Sequence, residues 1–174
     1  MSQLFKVVSL AFLLVLLTFV PCALFASGND GAAPTLMIPS IRVSAPIIEF
    51  PLGDSSWVID PWESQIGHLE GTPELGQSGN IVLAAHARMP DLGSGAFANL
   101  RQLHEGATII VFDGRVEHIY HIDSILYVDY TDLSVLYPTN HDQLTLITCD
   151  TASGYDATRQ DYNRRIVIVA TPAS

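Results

Sequence analysis

Beyond residue 34 the apolar positions fall into short runs rich in Val, Ile, Leu and Thr, at residues 36–38, 43–48, 81–85, 108–112, 116–127, 144–149 and 166–170. Gly, Pro, Asn and Asp separate them. Runs of this kind predict strands, and their spacing predicts an all-β barrel or sandwich. The pair Asp113-Gly114, set between Val111-Phe112 and Arg115-Val116, predicts a tight hairpin, because both residues tolerate the positive φ that such turns require. Short helices are predicted only near residues 61–67 and 95–103. The N-terminus differs in character: Lys6 is followed by an apolar stretch over residues 7–26, interrupted only by Ser9, Thr18 and Pro21.

That stretch is long enough to cross a bilayer as a helix, and residues 10–20 alone would suffice for the apolar part of an export signal. Either reading exports the rest of the chain. The sequence Ala23-Leu24-Phe25-Ala26 lacks a small residue at the third position before a cut after Ala26, which favours a retained anchor over a cleaved signal. Phe19-Val20-Pro21 is a poor match to the small residues that lipid attachment at Cys22 needs. Residues 27–34 are small and polar and read as a linker. Residues 35–174 then suffice for one compact domain and not for two. All eighteen acidic residues lie beyond residue 26, where the basic side chains are seven arginines and no lysine, a net charge of −11 with His neutral. Such a surface repels phosphates and anionic headgroups, which argues against a nucleic-acid partner and suits an extracellular medium.

Candidate chemistry sits at the ends of three predicted strands. Cys149 closes the run 144–149, His86 follows the run 81–85, and Arg164-Arg165 opens the run 166–170. A strand end can hold a nucleophile rigidly and still expose it. The other cysteine, Cys22, lies in or beside the membrane under the anchor reading, so Cys149 is expected to be a free thiol. A thiol attacks a carbonyl as thiolate, and at an ordinary pKa near 8.5 it is mostly protonated at neutral pH. An imidazole can take that proton and later give one to a leaving amine. A guanidinium cannot act as an acid, but its fixed fork of donors suits a developing oxyanion.

With residues 145–149 reading Thr-Leu-Ile-Thr-Cys, the trio resembles that of the sortases, the cell-surface cysteine transpeptidases of bacteria. Further segments agree in order: Gly67-His68-Leu69-Glu70-Gly71-Thr72, the stretch from Gly79 to His86, and Gly95-x-Phe97-x-x-Leu100. The resemblance implies a closed eight-stranded β-barrel with short helices and long loops flanking the active site. It implies Cys149 as nucleophile, His86 as acid and base, and an arginine as electrostatic clamp. Counted back from Ala170, Arg165 matches the family register, with Arg164 as the fallback, which would otherwise face solvent or the barrel exterior. Thr148 is a candidate substrate contact or oxyanion donor, with an equal claim as a plain strand former.

The implied activity is cleavage of an LPxTG-like sorting motif in secreted proteins through an acyl-enzyme on Cys149. The acyl group would pass to an amine of a cell-wall precursor or of a pilin lysine, at the outer face of the cell membrane. No cofactor and no metal are implied. Class D, E and F types are all open. A cysteine hydrolase of the same fold and a non-catalytic surface barrel that binds peptide are the rival readings. The loops at residues 129–142 and 150–163 are long enough to suggest a role at the groove. In the first of them Leu133, Val135, Leu136, Tyr137 and Pro138 would hold an extended peptide or cover one end of the barrel. The remaining histidines, His68, His104, His118, His121 and His141, read as surface or loop residues, and His118 and His121 point to opposite faces of one strand.

Overall fold

The computed structural model describes residues 32–173 apart from residues 55, 61, 62, 91 and 92. The expected anchor at residues 1–26 and most of the linker lie outside the described residues. Among the described residues no helix is long and apolar enough to cross a membrane. The described residues form twelve strands: β1 (Thr35–Ile38), β2 (Val43–Phe50), β3 (Ile66–Leu69), β4 (Asn80–Ala84), β5 (Arg88–Met89), β6 (Gly93–Ser94), β7 (Thr108–Phe112), β8 (Glu117–Asp129), β9 (Gln143–Cys149), β10 (Tyr155–Asp156), β11 (Asp161–Tyr162) and β12 (Arg164–Pro172). Eight of them close a barrel in the order β1-β2-β3-β4-β9-β12-β8-β7, with β7 pairing back onto β1. The expected closed, eight-stranded, all-β fold is the one observed.

Alternation along the strands explains how the barrel fills. In β9, Leu144 and Leu146 point inward, and in β12 Ile166, Ile168 and Ala170 do the same. They meet Leu36, Ile38, Ile81, Leu83, Ile109 and Val111 from the other walls. The opposite face of β4 and β9 carries a second, smaller cluster, in which Phe50, Leu69 and Val82 pack with Ile48, Trp57, Ala84, Leu136 and Ile147. A strand with apolar residues on both faces reads as a continuous run rather than an alternating one. That is the pattern at residues 81–85.

Four expectations are corrected. The helix expected near 61–67 is absent from its described residues, 63–67: residues 66 and 67 open β3, which is buried throughout and lies between β2 and β4. A short apolar run carries no period that separates helix from strand, and here the neighbouring strands decide. The expected helix at 95–103 is a series of turns ending in one 3-10 turn, Leu100–Gln102. His68, expected at the surface, is buried, and its Nε2 donates to the Pro73 carbonyl at 2.9 Å. The Asp113 hairpin forms, with Phe112 paired to Glu117. Its loop is wider than a two-residue turn, because the Asp113 carboxylate accepts from the amides of both Arg115 and Val116 and holds four residues together.

Candidate active site

Strand direction, rather than strand identity, assembles the site. β4 and β9 run parallel, with Ala84 opposite Ile147, so their C-terminal ends leave the barrel side by side and place His86 and Cys149 at the same rim. β12 is antiparallel to β9, so its first residues come to that rim, with Arg165 directly opposite Cys149. Alternation puts Cys149 on the outer face of β9 with Ile147 and Thr145. Arg165 and Cys149 therefore stand on the same face of adjacent strands, where paired side chains are in reach of each other.

Cys149 and His86 border a region flanked by two small hairpins. A cleft of about 620 Å³ is walled on one side by His86 and by Arg88, Met89 and Pro90 of the β5–β6 hairpin. Cys149 and Tyr155, Gln160, Asp161 and Tyr162 of the β10–β11 hairpin complete its lining. The rings of Tyr155 and Tyr162 meet edge to face at 5.2 Å, which stiffens that hairpin. Arg165 is held by three acceptors: its Nη1 donates to the carbonyls of Tyr162 (3.0 Å) and Arg164 (3.3 Å), and its Nη2 to Asp161 Oδ2 (2.5 Å). The other oxygen of Asp161 accepts from the Cys149 thiol at 3.8 Å and from the Tyr162 amide at 2.7 Å.

This arrangement sets the thiol. Burial pushes the Cys149 pKa up, the Arg165 guanidinium pulls it down, and the Asp161 carboxylate pushes it up again by its charge and by accepting the thiol proton. The net direction is upward, so the resting site holds a neutral thiol. His86 Nε2 donates to the Asp60 carbonyl at 3.0 Å, which in the neutral ring leaves Nδ1 as the nitrogen free to accept a proton.

Of the residues expected from the sequence, Cys149, His86 and Arg165 are brought to one rim, while Thr148 and Arg164 are turned away from it. Thr148 is 3% exposed, and its hydroxyl donates to the Ala85 carbonyl at 2.8 Å. Its side chain ties β9 to the residue before His86 instead of facing the cleft. Arg164 does not simply meet solvent: its Nη2 lies 3.2 Å from Asp150 Oδ2, and its guanidinium lies over the Tyr127 ring. In the 129–142 loop, Leu136 packs on the outer cluster beside Ile147, so the loop covers the outer wall next to the Cys149 strand and not a barrel end. Asn80, itself buried, fixes it there by donating to the carbonyls of Val135 and Tyr137.

Sequence reasoning missed two supports. Asp161, the shared partner of thiol and guanidinium, carries no signal in its neighbourhood. Gly95 does carry one, in the spacing to Phe97 and Leu100. A Cβ on Gly95 would lie 2.1 Å from the His86 carbonyl oxygen, so only glycine lets this backbone pass His86 so closely. The Phe97 amide donates to that same carbonyl at 3.0 Å, and Phe97 and Leu100 anchor the segment in the core.

Comparison with known proteins agrees with this architecture. The sortase domain profile matches residues 36–173. YwpE of Bacillus subtilis (strain 168), a sortase by assignment, is 35% identical over 75 residues, covering 42% of this chain and 71% of that protein. Among solved structures, sortase C1 of Streptococcus agalactiae is 25% identical with a TM-score of 0.66, covering 86% of this chain and 71% of that one. The sortase D5 transpeptidase of Clostridium perfringens shares the fold at 24% identity and a TM-score of 0.63, over 82% of this chain and 79% of that one.

Proposed function

From the premise that this chain belongs to the sortase family of cysteine transpeptidases, we propose that Cys149, His86 and Arg165 carry its reaction and that its substrate is an LPxTG-like sorting motif. The observation that carries this reading is the register of β9 and β12, which sets Arg165 opposite Cys149, the residue that lines one cleft together with His86. His86 takes the proton of the neutral Cys149 thiol, the thiolate so formed adds to the scissile carbonyl carbon, and the oxyanion takes hydrogen bonds from the Arg165 fork in place of Asp161. His86 gives its proton to the departing amine as the C–N bond breaks, because an amide anion does not leave unaided. An acyl thioester remains on Cys149. An incoming amine adds to it and passes a proton to His86, and the C–S bond breaks to return the thiolate.

The donor class follows from the family: secreted proteins with a C-terminal sorting motif. The amine belongs to a cell-wall precursor or a pilin lysine, and residues 1–26 hold the enzyme at the membrane with the barrel outside. These assignments are tested together by offering the full-length protein a library of pentapeptides with and without triglycine and weighing the products. Cleavage that yields a triglycine adduct supports the transpeptidase. Cleavage that yields only the free acid in both conditions identifies a hydrolase, and no cleavage together with an unreactive Cys149 identifies a peptide-binding barrel.

A further inference from the structure

Asp150 follows the nucleophile, is fully buried, and takes no part in the chemistry above. Its Oδ1 accepts from Arg101 Nη2 and from the Ala152 amide (3.1 Å), and Arg164 Nη2 stands 3.2 Å from its Oδ2. That second contact is an ion contact without a directed hydrogen bond, so Oδ2 depends on the charge of Arg164 for compensation. Both guanidiniums lie over the Tyr127 ring, at 5.2 and 5.9 Å from its centroid, and remain 44% and 49% exposed. The backbone repeats the link: the Asp150 amide donates to the Arg164 carbonyl at 2.9 Å, and Ser153 Oγ both donates to the Asp150 carbonyl and accepts from the Arg164 amide.

Each member of this cluster is attached to a different part of the site. Asp150 adjoins Cys149, and Arg164 adjoins Arg165. Arg101 belongs to the 3-10 turn at the end of the segment whose Phe97 amide binds the His86 carbonyl. Alternation puts the cluster on the side of the sheet away from the cleft, so it joins the three segments from behind. We propose that Asp150, gripped by Arg101 and Arg164, is a positioning residue that holds Cys149, Arg165 and His86 in register. The proposal rests on the catalytic assignment above. A buried carboxylate with one counterion on each neighbouring segment is satisfied only when all three segments are in place, so it rejects small slips that an apolar contact would tolerate. A misplacement of about 1 Å between reacting groups costs on the order of a hundredfold in rate.

The test uses Asp150→Asn, Arg101→Gln and the two combined, in the full-length chain and at a temperature where each retains its β circular dichroism. Two quantities are read: the pH dependence of Cys149 alkylation by iodoacetamide, followed by the mass of the Cys149 peptide, and kcat and KM on a cleaved sorting peptide. The proposal expects the alkylation midpoint of Asp150→Asn to move to higher pH, because the thiol loses its alignment with Arg165. It also expects kcat to fall on the order of tenfold with KM within about twofold. Arg101→Gln moves both in the same direction by less, and the combination is no worse than Asp150→Asn alone. A folded Asp150→Asn that melts earlier but keeps the wild-type alkylation profile and kcat would overturn the proposal, leaving Asp150 a stabilising residue only. If Asp150→Asn does not fold, Arg101→Gln, which leaves Arg164 on the carboxylate, decides between the same outcomes. Cys149→Ala and Arg165→Lys run in parallel: if both cleave peptide at close to the wild-type rate, the catalytic assignment fails, whereas an unchanged profile confined to the Asp150 and Arg101 variants removes the positioning role alone.

Discussion

The rim of the barrel carries two aspartates, each bound to arginine, on opposite sides of the same strands, with Arg164 and Arg165 adjacent along β12. At the front, Asp161 holds Arg165 beside the thiol, and its side chain is 31% exposed. At the back, Asp150 holds Arg101 and Arg164 and is 0% exposed. The ionic groups are the same and the surroundings are not. A partly solvated pair contributes about 0–1 kcal/mol and exchanges readily for a substrate carbonyl. Leaving a buried carboxylate without its counterions is costly, so the arginines at the back stay on Asp150 through a turnover. The contrast teaches that burial of the carboxylate, rather than the identity of the partners, separates an arginine available for chemistry from one committed to structure.

The comparison breaks first at the nucleophile. Cys149→Ala is expected to abolish peptide cleavage and acyl-enzyme trapping while the barrel keeps its circular dichroism, since the thiol lies on the outer face of β9. Turnover above a few per cent of wild type would remove Cys149 from the mechanism. Next in size, Arg165→Lys keeps the charge but loses the planar fork, and kcat is expected to fall by on the order of a hundredfold. Arg164→Lys retains a cation against Asp150 and is expected to lose no more than a few-fold. The reverse order in measured kcat would mean that the front and back arginines have been exchanged.

A smaller effect is expected from the segment behind His86. Gly95→Ala places a methyl group 2.1 Å from the His86 carbonyl oxygen, so the backbone has to move. A loss of about 1–3 kcal/mol in unfolding free energy and roughly tenfold in kcat follows. A fully active and equally stable Gly95→Ala would show that the His86 backbone is free to shift without consequence. The smallest effect is a gain. Asp161 raises the thiol pKa through its charge and its hydrogen bond, and Arg165 keeps two carbonyl acceptors without it. Asp161→Asn therefore favours the thiolate. Alkylation of Cys149 at neutral pH should quicken several-fold, with its midpoint displaced to lower pH, and a midpoint displaced upward would show that Asp161 acts mainly by orienting Arg165.

Much of this was legible in the chain. The β-branched runs at residues 108–112, 144–149 and 166–170 became strands, because alternation and turn residues are local properties that pairing then reinforces. The positions of Cys149, His86 and the arginine pair at run ends, with the Thr-Leu-Ile-Thr-Cys motif and the Gly95-x-Phe97-x-x-Leu100 spacing, pointed to the family and its barrel. The sequence pattern near 61–67 predicts a helix where residues 66–69 form β3, because four residues carry too little period to outweigh the strands that flank them. What only the tertiary structure decided is which groups meet. Arg101 and Asp150 are 49 positions apart, Thr148 and Ala85 are 63 apart, and neither contact leaves a mark in sequence pattern. The parallel course of β4 and β9 brings two strand ends to one rim, and the antiparallel β12 turns Arg165 toward the thiol and Arg164 toward a buried carboxylate. Pairing of charges and burial depend on approach through space, which the order of residues constrains only through the closed sheet.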